Sequence, residues 1–339
     1  MKQQRRQFIR SIATASAVAG TGVFSLAASH RPEKTVEYAA NNRFKISLNA
    51  YSFNEPLRSG KTNLDEVMEF CARENFDAVD LTGYYFPGYP EVPSDEYIFH
   101  LKRKAHTLGL AISGTGIRNE FAEPDTAKRA AEVLFVKKWT EVAAKLGAPV
   151  IRIYTGRAIP AGHTWRETAD WIIEDIKACA AYGKQLGVIV AMQNHNDFIR
   201  TADQAIDILT KVNSEWFGLV LDTGSFITNE PYSEIEKTTP WAVNWQVKEK
   251  ISYNGKSEDM DLERLFHIAR NSSYRGYLPI ETLSPGDPFG IVPQMRDRGQ
   301  LRAARECGVQ QATRPQLFEF VHRDLCVRVA NLRRFQRLQ

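Results

Sequence analysis

The sequence lacks several patterns that identify common classes of protein. No complete Gly-x-Gly-x-x-Gly fingerprint is present, since Gly114-Thr115-Gly116 has no third glycine; this weighs against an open doubly wound sheet, which is the alternative fold. The four cysteines are Cys71, Cys179, Cys307 and Cys326, and none forms a Cys-x-x-Cys pair. Cys71 and Cys179 fall on apolar helix faces, where a thiol acts as a small hydrophobe. A Cys307–Cys326 disulfide is chemically allowed in an oxidising compartment.

A strongly apolar membrane segment is also lacking. Arg5-Arg6-Gln7-Phe8-Ile9-Arg10 is a twin-arginine sequence, and the run Ser11–Leu26 after it is short and rich in Ala, Gly, Ser and Thr. Such a run suits an export signal better than a transmembrane helix. We expect cleavage after Ala27, with no stable membrane anchor because no cysteine lies nearby. The prediction is export to the periplasm by the twin-arginine pathway, with residues 1–27 as the signal and 28–44 as a linker.

The chain has no large excess of charge once the signal is set aside. Its formal net charge is +4, and the signal holds four cations, Lys2, Arg5, Arg6 and Arg10. The near-neutral remainder predicts no nucleic-acid partner. Residues 291–339 hold ten Arg, four acidic residues and no Lys. We interpret this segment as a poorly ordered tail or a reading-frame error, with a basic interaction tail or a partner-binding extension as the alternatives.

Short apolar runs recur along the chain at regular intervals. Each has four to seven residues and is rich in Val, Ile and Leu, which is typical of strands buried on both faces of a parallel sheet. Stretches with helical periodicity lie between them, including Ala131–Leu146 and Trp171–Leu186, and three of these stretches end before a glycine, at Gly109, Gly147 and Gly187. The sequence therefore predicts a (β/α)₈ barrel over residues 45–290. The runs are Lys45–Tyr51, Ala78–Leu81, Ala111–Thr115, Val150–Tyr154, Val188–Gln193, Gly218–Asp222, Ala242–Lys248 and Tyr277–Glu281.

The active-site residues of such barrels lie at the carboxyl ends of the strands. The side chains at those ends combine aromatic rings with scattered hydrogen-bonding groups, which suits a sugar, whose C–H faces pack on rings and whose hydroxyls need polar partners. We predict that the small-molecule substrate binds to Asn49, Tyr51, Phe53, Tyr84, Arg152, Tyr154 and Trp245.

Asp222 and Glu281 are the strongest individual signals, because a carboxylate that ends a buried strand needs a cation or a chemical role. An ion pair with Arg152 or Lys248 is the structural alternative. Gln193 and Gln246 complete a possible ring of four oxygen ligands, Gln193, Asp222, Gln246 and Glu281. Amide and carboxylate oxygens favour Mg²⁺, Mn²⁺ or Ca²⁺ over Zn²⁺, and Mg²⁺ or Mn²⁺ is the predicted cofactor.

Four segments carry a resemblance to a known family. Ala191–Phe198 (AMQNHNDF), Gly218–Phe226 (GLVLDTGSF), Val243–Ile251 (VNWQVKEKI) and Tyr274–Leu283 (YRGYLPIETL) resemble the last four strands of the xylose isomerase-like TIM barrels of the sugar phosphate isomerase/epimerase type. The resemblance implies a divalent metal held by Glu, Asp, His and Glu, which here correspond to Gln193, Asp222, Gln246 and Glu281. Two of the four positions depart from that pattern.

The resemblance implies a metal-dependent sugar isomerase or epimerase that moves a proton next to a carbonyl. Glu281, His195 and Lys248 are the predicted catalytic residues, since an amide at Gln193 cannot accept a proton. A keto-sugar hydratase or lyase, and a catalytically degenerate sugar-binding protein, are the alternatives. A repair endonuclease of the same fold is excluded by the scarcity of histidine at the strand ends, where only His195 lies. The sequence does not decide the oligomeric state, and a homo-oligomer is compatible with it.

Overall fold

The computed structural model describes residues 44–195, 198–253 and 255–305. Its strands are β1 (Lys45–Asn49), β2 (Ala78–Thr82), β3 (Ala111–Gly116), β4 (Val150–Ile153), β5 (Ile189–Gln193), β6 (Phe217–Asp222), β7 (Ala242–Lys248), β8 (Lys250–Tyr253), β9 (Lys256–Asp259) and β10 (Tyr277–Glu281). The helices are α1 (Asn54–Arg58), α2 (Leu64–Arg73), α3 (Asp95–Thr107), α4 (Thr126–Leu146), α5 (Trp165–Leu186), α6 (Ala202–Val212), α7 (Pro231–Thr238), α8 (Leu262–Arg270) and α9 (Pro288–Arg305).

Eight of these strands close into a parallel barrel in the order β1-β10-β7-β6-β5-β4-β3-β2. Each predicted run coincides with one barrel strand, so the predicted (β/α)₈ barrel is confirmed. Parallel pairing places all the carboxyl ends at one mouth, and the helices cover the outside of the barrel. The expected glycine stops are also present, since Gly147 and Gly187 end α4 and α5 in the left-handed region at φ 84° and 69°.

Two helices begin earlier than their apolar periodicity predicts. Helix α4 was expected from Ala131 and begins at Thr126, because the Asp125 carboxylate accepts hydrogen bonds from the first backbone amides. Helix α5 was expected from Trp171 and begins at Trp165, after a capping box between Thr164 and Glu167. The first turn of α4 is mostly solvent-exposed, and the first turn of α5 has Trp165 as its only large apolar side chain, so neither turn contributes much to the apolar pattern.

Helix α9 changes the predicted boundary of the barrel. The predicted end of the barrel at residue 290 falls inside this helix. Val292 and Met295 are buried against the barrel, and Arg296 Nη1 lies 2.8 Å from the Glu74 carboxylate. The first third of the predicted Arg-rich tail therefore belongs to the folded domain.

Strands β8 and β9 form an antiparallel hairpin that the sequence did not predict. The hairpin follows β7 directly and brings Lys250 to the mouth of the barrel. Within the described ranges, no helix is long and apolar enough to cross a membrane. The predicted signal, the 28–43 part of the linker, and residues 306–339 with Cys307 and Cys326 lie outside the described residues. Cys71 and Cys179 are buried free thiols, as predicted.

Candidate active site

Two carboxylates and one ammonium group meet at the mouth of the barrel. Asp222 ends β6, Glu281 ends β10, and both side chains are almost completely buried. Lys248 ends β7, and its Nζ donates a hydrogen bond to Glu281 Oε1 and lies 3.5 Å from Asp222 Oδ2. The ion pair with Lys248 that the sequence left open is therefore present. Burial by itself lowers the pKa of Lys248, but the negative charges of Asp222 and Glu281 outweigh burial and raise it.

Two buried amides complete the cluster. Gln193 Nε2 donates to Asp222 Oδ2 at 2.6 Å, and Gln246 Nε2 donates to Glu281 Oε2. The Oε1 atoms of both amides are buried and accept no hydrogen bond from the described residues. The four residues predicted as metal ligands thus converge, but their amide nitrogens, rather than their amide oxygens, face the carboxylates.

Backbone contacts hold the cluster in place. The Asn194 side chain makes paired hydrogen bonds with the backbone of Asp222, at 2.8 and 2.9 Å, and so extends the β5–β6 ladder by one residue. Thr223 Oγ1 accepts a hydrogen bond from the backbone N–H of Lys248 at 3.0 Å. Both contacts fix the ends of neighbouring strands, so the charged side chains enter the mouth from rigid positions.

The donor set does not fit a divalent cation. Each carboxylate oxygen already accepts from a protein donor, since Gly224 N–H also donates to Asp222 Oδ1 at 3.0 Å. A metal ion at the centre would have to displace the ammonium of Lys248 and rotate both amides. No group of three or more His, Cys, Asp or Glu side chains within the described ranges could hold a metal ion. We therefore assign no step of the chemistry to a metal.

Asp80 is a buried carboxylate that sequence reasoning missed. It lies on β2 in register with Asn49 and Gly114 and faces the barrel interior, where a Cβ at Gly114 would come within 2.7 Å of its Oδ2. Burial raises its pKa to about 6, with Arg152 opposing the rise and Glu281 adding to it. Asp80 lies inside the predicted run Ala78–Leu81 and not at its carboxyl end, where the catalytic residues of such barrels are expected. A carboxylate inside an apolar run was the available signal.

Arg152 occupies the opposite side of the mouth. Its guanidinium fills the space over Gly116, donates to Tyr84 Oη at 3.0 Å and packs on the Tyr154 ring, 4.9 Å from the centroid. The Tyr154 ring in turn meets the His195 imidazole edge to face, with 5.1 Å between centroids. The structure thus brings together four of the residues predicted from the sequence, Tyr84, Arg152, Tyr154 and His195.

Two cavities open beside the cluster. One has a volume of about 420 Å³ and is lined by His195, Lys248 and Glu281 together with Ser225, Lys250 and Ser284. The other has about 510 Å³, includes Tyr51 and Ser52, and shares Leu283, Ser284 and Pro285 with the first. These volumes suit a small ligand.

Three predicted substrate residues lie elsewhere. Phe53 is fully buried and packs against Phe70, 5.3 Å between ring centroids. Trp245 is also buried and packs against Tyr274, because neighbouring residues of β7 point to opposite faces and Gln246 takes the inward position. Asn49 is buried and accepts hydrogen bonds from Tyr51 N–H and Thr82 Oγ1. Phe53 and Trp245 are core residues, and Asn49 supports the position of Tyr51.

The closed parallel barrel with polar groups at its carboxyl mouth defines the class of fold. The sequence model of the xylose isomerase-like TIM barrel family matches residues 68–307. The chain belongs to that family. No curated protein matches the chain.

Solved structures share this fold at low sequence identity. D-psicose 3-epimerase from Clostridium cellulolyticum H10, solved with D-tagatose, is 17% identical with a TM-score of 0.61, covering 78% of this chain and 98% of its own. The 3-keto-D-glucoside 4-epimerase of E. coli is 12% identical with a TM-score of 0.62, covering 76% and 100%. A xylose isomerase-like TIM barrel protein from Mycobacterium smegmatis, in complex with magnesium, is 18% identical with a TM-score of 0.60, covering 80% and 100%.

Proposed function

We propose that the protein is a sugar isomerase or epimerase that moves a proton next to a carbonyl group. The observation that carries this proposal is the Lys248 ammonium between two buried carboxylates at a cavity of sugar size. Membership of the family supports it, and so do the similar barrels that act as epimerases of D-psicose and of a 3-keto-D-glucoside. The sequence has no glycine-rich phosphate loop, so we expect an unphosphorylated sugar or keto-sugar.

In the proposed reaction a base removes the proton from the carbon next to the carbonyl. The electron pair of that C–H bond moves into the new carbon–carbon double bond, and the carbonyl oxygen takes the negative charge as an enediolate. Lys248 is placed to neutralise that charge. Glu281 or His195, both at the cavity, takes the proton and returns it to one of the two carbons.

The two amides limit which products can form. Gln193 and Gln246 cannot accept a proton near neutral pH, so neither supplies a second base on the opposite face of the sugar. Return of the proton by the same group to the neighbouring carbon, together with transfer of the hydroxyl proton from the oxygen of the first carbon to the former carbonyl oxygen, gives an aldose–ketose isomerisation. That isomerisation is therefore the favoured form of the reaction, with elimination or hydration next to the carbonyl as its chemical alternative.

We place this activity in the periplasm. The proposal rests on the twin-arginine segment Arg5–Arg10 and the weakly apolar run that follows it. An exported enzyme that acts on free sugars would meet its substrates in that compartment.

Mass spectrometry in D₂O tests the reaction. A panel of sugars and keto-sugars is incubated with the protein. We expect the proton held by the base to exchange with D₂O before its return, so an isomerase or epimerase should place one deuterium on the carbon next to the carbonyl. Glu281→Gln should abolish incorporation, whereas Glu263→Gln, at an exposed position on α8, should leave it unchanged. A mass change of one water, or cleavage, would indicate a hydratase or lyase. Saturable sugar binding without deuterium or mass change would identify a binding protein instead.

A further inference from the structure

We propose that Lys248 is the resident cation of this site and that its ammonium group holds the place a divalent metal would take. The site then binds and polarises an oxygen atom of its ligand without a metal. Occupancy of the site by the Lys248 ammonium is independent of the reaction, and only the catalytic use of the ammonium rests on the proposed function.

The hydrogen bonds around the carboxylates support this assignment. Lys248 and Gln246 donate to the two oxygens of Glu281, and Gln193 and Gly224 donate to the two oxygens of Asp222. A carboxylate ligand must offer a free lone pair in the direction of the metal. Here the ammonium already lies in the space between the two carboxylates, so the cluster is complete as it stands.

The packing of the Lys248 stem holds the ammonium in this position. A Cβ at Gly224 would lie 2.8 Å from Lys248 Cγ, so the absence of a side chain at Gly224 creates the space that the stem fills. The Lys248 side chain is only 14% exposed. An ammonium on a stem confined in this way cannot swing into solvent as an exposed lysine does.

The two amides fit an ammonium better than they fit a metal. A carboxylate at position 193 could not donate a hydrogen bond to Asp222, whereas the Gln193 amide does. The Gln246 amide donates to Glu281 in the same way. Two carboxylates around a single positive charge keep one net negative charge, and two N–H donors stabilise it. Gln193, Gln246 and Lys248 are thus all consistent with an ammonium group at the centre of the site.

The ammonium also has donors to spare for a ligand. A lysine carries three N–H bonds, and one of them is directed to Glu281. Lys248 lines the cavity of about 420 Å³. A carbonyl or hydroxyl oxygen in that cavity can therefore accept a hydrogen bond from the same cation, which is the contact a metal would otherwise supply.

Titration with Mn²⁺ alone, followed by electron paramagnetic resonance of the free ion, tests the assignment. The wild-type protein, treated with EDTA and dialysed, should leave the Mn²⁺ signal unchanged up to millimolar concentrations. The triple variant Gln193→Glu/Gln246→His/Lys248→Ser should bind one Mn²⁺. The matched double variant Gln193→Glu/Gln246→His, which keeps the lysine, should bind it at least about tenfold more weakly because the ammonium competes. Circular dichroism verifies that each variant is folded.

Stoichiometric Mn²⁺ binding by the wild-type protein at micromolar concentration would overturn the proposal. Equal affinity of the double and triple variants would overturn it as well, because Lys248 would then not compete for the site. If the triple variant does not fold, the wild-type titration still decides, since it needs no substitution. None of these measurements uses a sugar, so a result against the Lys248 proposal does not bear on the deuterium experiment. A negative deuterium experiment likewise does not bear on the Mn²⁺ titration.

Discussion

Lys248 and Glu281 are register partners at the ends of β7 and β10, and their side chains form a buried ion pair. Because parallel strands end at the same mouth, the ammonium and the carboxylate meet without a loop to position them. Asp222 reaches the same ammonium from β6 on the other side of β7. The charged centre is therefore built on three adjacent strands of the barrel.

Removal of the Lys248 charge should destabilise the protein. In Lys248→Met the carboxylates of Asp222 and Glu281 stay buried without their cation, and breaking a buried pair in this way costs about 3 kcal/mol or more. Urea denaturation measures the loss. The double variant Lys248→Met/Glu281→Gln should recover part of it, because one unpaired charge is removed. Additive losses in this cycle would show that the two groups do not interact.

The Asp80 carboxyl should make stability depend on pH. Its pKa is raised to about 6 from the ordinary 3.8 by burial, so the folded protein holds this proton more tightly than the unfolded chain does. The stabilisation is present below pH 4 and is lost as the pH rises through 6, by roughly 3 kcal/mol in total. Asp80→Asn should therefore gain stability relative to wild type by about this amount between pH 4 and pH 8.

Urea unfolding of Asp80→Asn and wild type at both pH values measures that gain. Glu96→Gln, at an exposed position of α3, serves as the control and should show no such change. A parallel pH dependence for wild type and Asp80→Asn would contradict the buried, proton-holding role of Asp80.

Helix α9 should be essential to the fold, in contrast to what the sequence suggested. Met295 is buried, and Met295→Ala should cost about 2 kcal/mol or more in the free energy of unfolding. Truncation after Asp287 should prevent stable folding, whereas truncation after Arg314 keeps the whole helix and should leave the melting temperature nearly unchanged. Thermal denaturation of the two truncated chains compares them directly. A large loss of stability in the longer chain would assign a structural role to the residues beyond it.

Export should require the paired arginines Arg5 and Arg6. Residues 1–30 fused to a folded reporter should direct it to the periplasm, and replacement of Arg5-Arg6 by Lys-Lys should block transport. Cell fractionation measures the distribution of the reporter. Replacement of Lys2 by Gln is the matched control, because it removes one positive charge and keeps the motif. Equal export by the Lys-Lys fusion would remove the twin-arginine interpretation.

Apolar periodicity was sufficient to predict the barrel because the eight barrel strands are largely buried on both faces and most of them alternate with helices along the chain. It was insufficient for the hairpin β8–β9, whose second strand is entirely exposed. The dipeptide Asn254-Gly255 between the two strands was the available signal, since it favours two-residue hairpin turns.

The sequence predicted which residues form the candidate site, but not how they interact. Asp222, Glu281, Gln193 and Gln246 converge, but sequence cannot show which atom of an amide faces a carboxylate. The alternation along β7 could have corrected one error, because Trp245 and Gln246 cannot both point inward. The contact between Lys248 and the two carboxylates depends on strand register, which becomes visible only in three dimensions.

Gly224 should control the position of Lys248. In Gly224→Ala the new Cβ would lie 2.8 Å from Lys248 Cγ and from the Lys250 carbonyl oxygen, so the lysine stem must shift. We expect a loss of about 1–3 kcal/mol in the free energy of unfolding from overpacking, and a fall in sugar binding or turnover because the ammonium leaves its place.

Gly290→Ala is the matched control: its Cβ would meet nothing within 4 Å, and alanine in helix α9 should be neutral or stabilising by up to about 1 kcal/mol. Urea denaturation and sugar titration of both variants provide the comparison. Equal behaviour of the two would mean that the stem of Lys248 is not confined by Gly224.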